Sequence, residues 1–226
     1  MNQSIINCPE NIEDIYVKNV YNKIANDFSI TRISIWNGVK KFIDTIPSFS
    51  WIADLGCGNG KNIQRDDLYW YAIDQCDGFL DICKKRFNGK SHSPHICKGS
   101  ITDIPLLSNS VDFLICIATF HHLASENNRH KSLEEFKRIL KPGGKGLITV
   151  WAHEFEKGFQ WEKEIKRQGG GQDILIPWRG TKKNSIKEER YYHFFKKDEI
   201  MNLVSIYFII EDMWFETNNW FIVFRK

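Results

Sequence analysis

No run of eighteen apolar residues occurs in this 226-residue chain, so no segment reads as a membrane span. The stretch Met1–Pro9 is short and polar, without a basic part or an apolar core, and no secretory leader is read from it. Cysteine occurs at Cys8, Cys57, Cys76, Cys83, Cys97 and Cys116, and no two of these form a Cys-x-x-Cys pair. Neither a zinc site nor a disulfide framework is indicated, and a reducing compartment is expected: the cytoplasm, with the nucleus as alternative. Net charge is only +3, too small by itself to mark a nucleic-acid binder. Repeats, low-complexity tracts and linkers are missing, so 1–226 reads as one domain with enough chain for a full core.

Against these absences stands one dense motif, Asp54-Leu55-Gly56-Cys57-Gly58-Asn59-Gly60, directly after the apolar run Trp51–Ala53. Alternate glycines allow φ > 0 and let the backbone approach a ligand where a Cβ would clash. A strand before and a helix after such a turn form a nucleotide-sized cradle. Asp74 closes the next apolar run, twenty residues after Asp54, a spacing that suits a carboxylate meeting ribose hydroxyls.

Apolar spacing predicts helices over 12–27 and 36–46, the second stopped at Pro47. Strands follow at 51–55, 69–74 and 95–98, with a helix over 78–87 between the last two. The nearly unbroken apolar run 111–118 reads as a parallel strand buried on both faces. A helix over 125–140 stops at Lys141-Pro142-Gly143-Gly144 before a strand over 145–151. Residues 153–193 read as an irregular surface insertion. A helix over 196–205 and strands over 206–214 and 219–225 close the chain, with a hairpin signal at Glu216–Asn219. The pattern implies an α/β fold: a doubly wound, mostly parallel seven-stranded sheet with an antiparallel C-terminal strand. Its parts are N-terminal helices (1–47), a cofactor-binding core (48–152), a substrate-facing insertion (153–195), and a C-terminal helix with hairpin (196–226).

The Asp-Leu-Gly-Cys-Gly-Asn-Gly turn, the Leu-Lys-Pro-Gly-Gly turn and the closing hairpin together resemble class I S-adenosylmethionine-dependent methyltransferases, a Rossmann-like family. The resemblance implies that Asp54, Gly56, Cys57, Gly58 and Gly60 border the methionine part of S-adenosylmethionine. It places Asp74 on the ribose and Gln75 beside the adenine, with Ser100 and Ile101 near the adenine amino group. Ser100 stands where that family often has Asp. Ile117 and Ala118 come to lie under the cofactor, near the transferred methyl.

Further blocks run in order along nearly the whole chain: residues 20–32, Trp36, Ile117–Leu123 with its His121-His122 pair, Val150-Trp151-Ala152, Pro177-Trp178, Arg190–Phe195 and Asn219-Trp220. These resemble the eukaryotic wobble-uridine tRNA methyltransferases, which esterify the 5-carboxymethyl group of uridine 34. Where that family has two arginines after His-His-Leu, Asn128 replaces the first and Arg129 keeps the second. The insertion is short, and neither a fused dioxygenase pattern nor an RNA-recognition domain is found.

The resemblance makes Arg32, His121 and His122 the leading active-site residues. Arg32 has a planar fork suited to a carboxylate or phosphate. Both histidines follow the 111–118 strand at the carboxyl edge, where such sheets bind ligands. Thr31, Trp36, Arg129, Trp151, Arg179, Arg190, Tyr191, Tyr192 and His193 are expected to face the anticodon loop of tRNA, arginines on phosphates and aromatics on splayed bases. A small zinc-binding activator subunit is implied at the edge formed by the third strand, His95–Cys97, where unpaired backbone invites strand addition. Two other readings stand beside this one: methylation of a small carboxylic acid or lipid precursor, and a non-catalytic subunit of cofactor fold.

Overall fold

The computed structural model describes residues 9–180 and 187–226. A seven-stranded sheet in the order β3-β2-β1-β4-β5-β9-β8 carries the molecule. Its strands are β1 (Trp51–Leu55), β2 (Tyr69–Asp74), β3 (His95–Lys98), β4 (Val111–Ile117), β5 (Leu140–Trp151), β8 (Ile209–Glu216) and β9 (Asn219–Arg225). The first five pair in parallel, and β9 runs antiparallel to both β5 and β8, as the alternation of strands and helices predicts.

Around the sheet lie α1 (Pro9–Glu13), α2 (Asn19–Ile30), α3 (Asn37–Asp44), α4 (Asp77–Phe87), α5 (Glu126–Ile139), α6 (Glu162–Arg167) and α7 (Lys197–Ser205). One face of the sheet is sealed by Leu114, Cys116, Leu133, Phe136, Ile200 and Phe224. The other is sealed by Val39, Phe42, Ile52, Ile115, Leu80 and Phe221. Strand β4 contributes to both, which is why it reads as a continuous apolar run.

Three expectations need correction. The predicted 12–27 helix is two helices, α1 and α2, joined by a π-helical turn over Asp14–Lys18. Such turns insert an extra residue and re-aim a helix. Strand β5 begins at Leu140, so Lys-Pro-Gly-Gly is an irregularity within it, where the β4–β5 register shifts between Val111 and Phe113. Gly143 holds φ at 79° there. The 153–193 segment is far from irregular. It forms α6 and a second sheet of β6 (Asp173–Trp178) and β7 (Glu188–His193), paired antiparallel from Asp173↔His193 to Trp178↔Glu188.

That small sheet is buried on both sides. Leu175, Trp178 and Tyr191 face α2, whereas Ile174, Ile176 and Tyr192 pack with Ile165 and Phe194. Alternation of side chains across a strand sends neighbours such as Tyr191 and Tyr192 into different cores. The closing hairpin turns through Thr217 (φ 49°) and Asn218 (φ 59°), the paired left-handed geometry of a tight two-residue loop.

Candidate active site

A cavity opens at the carboxyl ends of β1, β2 and β4, where the strand order reverses. Its floor is the glycine turn. Gly58 N–H donates to Asp74 Oδ2 at 2.9 Å and Cys76 N–H donates to Oδ1 at 2.9 Å, which locks the carboxylate against the turn. Gly56 sits at φ 76°, and a Cβ there would meet Thr119 Oγ1 at 2.2 Å; Gly58 (φ 53°) instead has open space where a side chain would stand. Ala118, at the end of β4, also holds a left-handed φ of 53°, its N–H tied to Thr149 Oγ1 at 2.9 Å. Non-glycine residues in this region are strained and concentrate at functional sites.

Two carboxyl groups lie under and beside this floor. Asp54 is fully buried, and neither of its oxygens has a hydrogen-bond partner. Burial, opposed by neighbouring Asn62 and reinforced by the charge of Asp74, pushes it up to about 7. Asp74 is pushed by burial up to about 6, against the pull of the Cys76 and Gly58 N–H groups.

The roof comes from α2 and the segment after it. Tyr21, Phe28, Arg32 and Trp36 all line the cavity. Phe28 packs edge-on against Tyr21 and Phe79, and the Arg32 guanidinium lies over the Phe28 ring at 4.5 Å. The cation of Arg32 has no acidic partner among the described residues; its Nη1 donates to Thr31 Oγ1 at 3.0 Å.

Behind the roof runs a buried hydrogen-bond chain whose direction can be assigned. His122 Nδ1 faces the Tyr191 carbonyl at 2.8 Å, so that nitrogen must carry the proton and donate. Burial holds His122 near 3, keeping the ring neutral, so Nε2 accepts from Tyr21 Oη at 3.0 Å. Tyr21 then accepts from Tyr192 Oη at 3.0 Å, and Tyr192 accepts from Arg190 Nη1 at 2.9 Å. Every proton points from Arg190 toward the His122 ring. His121 is oriented in the opposite sense: its Nδ1 accepts from the Trp151 N–H at 3.1 Å, and burial with the adjacent His122 keeps it well below the ordinary histidine range.

Residues 53–148 match a methyltransferase-domain family model. Over 236 aligned residues the chain is 31% identical to a Schizosaccharomyces pombe protein named tRNA (carboxymethyluridine(34)-5-O)-methyltransferase, with 95% of this chain and 97% of that protein covered. The chain belongs to the tRNA (carboxymethyluridine(34)-5-O)-methyltransferase family. It is also 39% identical, over 69% of its length, to the Mus musculus family member ALKBH8, of which it spans only 23%. Among solved structures, a SAM-dependent methyltransferase of Methanosarcina mazei superimposes with a TM-score of 0.70 at 16% identity, covering 85% of this chain and 98% of that one. At that identity the likeness speaks for the fold.

The residues present fit the S-adenosylmethionine that the family resemblance implies. Asp74 lines the cavity with a carboxylate suited to ribose hydroxyls and open space faces Gly58, whereas Asp54, expected to border the methionine part, is fully buried beneath the turn and does not line the cavity. Cys57, Gln75, Ser100, Ile101, Ile117 and Ala118 line the cavity as expected. The Ser100 hydroxyl is shared with Thr102 Oγ1 at 2.8 Å. Gly60 does not line it: a Cβ there would strike Cys83 Sγ at 2.8 Å and Phe87 at 2.9 Å, so this glycine serves the close packing of α4.

Of the expected substrate residues, Arg32, Trp36 and His122 line the cavity, while Thr31 beside them donates to Phe28 O and accepts from Arg32. His121 stands one layer back. Trp151 is stacked on Tyr192 at 4.3 Å and 7°, as a packing platform behind the histidines. Arg179 is exposed at the end of β6. The expected anticodon-loop surface is otherwise overturned: Arg129, Arg190, Tyr191, Tyr192 and His193 are all buried. Arg129 lies between Glu199 (3.7 Å) and Asp173 (4.0 Å), and His193 places one ring nitrogen on each of the same two carboxylates. Tyr191 Oη also bonds Asp173. These groups knit α5, the small sheet and α7 together, and charge alone in the sequence could not separate that role from a phosphate clamp.

Sequence reasoning assigned no role to Tyr21, Phe28, Asn59 or Lys61, all of which line the cavity. Asn59 sits inside the glycine motif and Lys61 directly follows it, while Tyr21 and Phe28 lie in the 20–32 block and on the apolar stripe of its helix.

Proposed function

We propose that this chain transfers the methyl group of S-adenosylmethionine to the carboxylate of 5-carboxymethyluridine at position 34 of tRNA, giving the methyl ester. The observation that carries this reading is the end-to-end match to the fission-yeast protein of that name. The cofactor supplies an electrophilic methyl on a sulfonium. Asp74 and the Gly56–Gly58 turn would hold that group, and a neutral thioether would be the leaving group as the carboxylate takes the methyl. A carboxylate is already ionised at neutral pH, so no general base is needed, and two neutral buried histidines are compatible with the reaction. The work left to the protein is alignment in a dry cleft. Arg32 is placed to orient the anion from the mouth. Arg190, 2% exposed and with no acidic partner among the described residues, adds positive potential from behind Tyr21 and Phe28.

The tRNA would be held at this mouth by its anticodon loop. A small zinc-binding activator is proposed at β3, an edge strand. Beside it Trp51, Tyr71 and His95 stack in a ladder at 5.0 and 5.8 Å from Trp51, and no helix intervenes between β3 and β4 to cover them.

The test is to co-express the chain with such a partner, add S-adenosylmethionine and tRNA bearing 5-carboxymethyluridine, and digest for mass spectrometry. A methyl ester at position 34 that is lost in Arg32→Ala is the expected result. Intact cofactor binding without transfer to tRNA would overturn it.

A further inference from the structure

Asn59 is 5% exposed and lines the cavity in the middle of the glycine turn, yet its side chain reaches away from the turn into the roof. Its Nδ2 donates to Ser29 O (3.3 Å), Ser29 Oγ (3.0 Å) and Arg32 O (3.1 Å), while Oδ1 accepts from Lys61 N–H at 3.1 Å. Two of those acceptors are main-chain carbonyls and the partner of Oδ1 is an N–H, so the amide orientation is settled by the network. Ser29 O lies in the last turn of α2, where it also accepts from Arg32 N–H at 3.1 Å, and Arg32 O lies just past the helix end. Lys61 adds a second tie from the same turn, donating to Ser34 O at 3.1 Å and lying over the Trp36 ring at 5.4 Å. Residues 29–36 are therefore stapled to the cofactor turn, and Arg32 hangs from that staple by its own carbonyl.

We infer that Asn59 is a positioning residue: it couples the glycine turn to Arg32, so that filling the cofactor site fixes the arginine that orients the substrate anion. The argument rests on the proposed reaction only for the identity of that anion. Asn59 itself touches neither the sulfonium position nor the substrate in this account; it acts through Arg32.

Asn59→Asp is nearly isosteric and keeps the Lys61 bond, but it cannot donate to the two carbonyls. In the partner complex, Asn59→Asp is expected to stay folded with a lowered melting temperature, from the carbonyls left without a donor, and to bind S-adenosylhomocysteine within about threefold of wild type. Its kcat/KM on 5-carboxymethyluridine tRNA falls by about tenfold or more. In an Arg32→Lys background, which keeps a cation and a residual rate, the same substitution adds less than about threefold, because the two act as one unit. Additive losses, or full activity of Asn59→Asp, overturn the inference. A second measurement needs no variant: hydrogen exchange of residues 31–36 in the wild-type complex should slow when S-adenosylhomocysteine is added, and unchanged exchange there also overturns it. If the wild-type complex does not methylate the tRNA, the proposed function fails, and the exchange result still decides the coupling.

Discussion

The bond that anchors the glycine turn, Gly58 to Asp74, spans 16 residues of sequence; the bond from α2 to β7, Tyr21 to Tyr192, spans 171. The turn lines the cleft, and the small sheet backs its roof. At the turn, backbone conformation does the work: left-handed glycines, a locked carboxylate and one strained alanine. At the small sheet, side-chain packing does it, with an aromatic stack, a one-way hydrogen-bond chain and a buried cation. A site made of backbone is intolerant of any added atom. A site made of buried side chains tolerates changes of shape better than changes of hydrogen bonding.

That contrast can be broken most severely at the turn. Gly56→Val puts side-chain atoms where Thr119 stands, at a φ that β-branched residues avoid, and is expected to abolish S-adenosylmethionine binding and yield mostly insoluble chain. Calorimetry showing wild-type affinity would refute the backbone account. The next largest effect is of pH. Asp54 and Asp74 have folded values raised to about 7 and about 6 from ordinary values near 4, so the folded form holds their protons more tightly. Stability of the free protein is then greatest below pH 4 from these two groups and is lost as pH rises toward 7, by on the order of a few kcal/mol. Thermal melts of Asp54→Asn against wild type, from pH 5 to 8, should show the slope flatten in the variant; parallel slopes count against it.

A smaller loss is expected at the small sheet. Tyr21→Phe leaves His122 Nε2 without its donor and Tyr192 without its acceptor, at a cost of about 1–3 kcal/mol in chemical unfolding. No change would mean that water or a ligand already serves those atoms. Least affected in stability is Arg190→Met. It removes a buried cation that has no ion pair among the described residues, so the fold should be within about 1 kcal/mol of wild type or better. Methyl transfer should nevertheless fall, since the positive potential behind the cleft is gone. Loss of stability with full activity would reverse the roles assigned to this arginine.

Legibility in the sequence followed the same division. The strands of the seven-stranded sheet, the glycine turn, Asp74 and the Thr217-Asn218 hairpin were readable because each depends on neighbours in sequence, whereas β6 and β7 were not. His121 and His122 were readable as a pair at a strand end, but not as two rings with opposite proton placements, because their partners come from β5, β7 and α2. Arg129 and Arg190 looked like surface charge because arginine seldom enters a core without acidic or aromatic company. That company comes from Glu199 and Asp173 for one, and from Trp178, Tyr192 and Phe28 for the other.

By itself, then, the sequence determined the succession of strands and helices outside residues 153–193, the conformation of the turn and the reach of Asp74 to it, all set by local sterics and by periodicity in the apolar residues. Tertiary structure alone decided which charges are buried, which way each hydrogen bond in the chain from Arg190 to His122 points, and which residue of the turn holds Arg32. Those outcomes depend on groups brought together from separate elements, up to 171 residues apart for Tyr21 and Tyr192, and a donor or acceptor has no defined partner until the packing around it is complete.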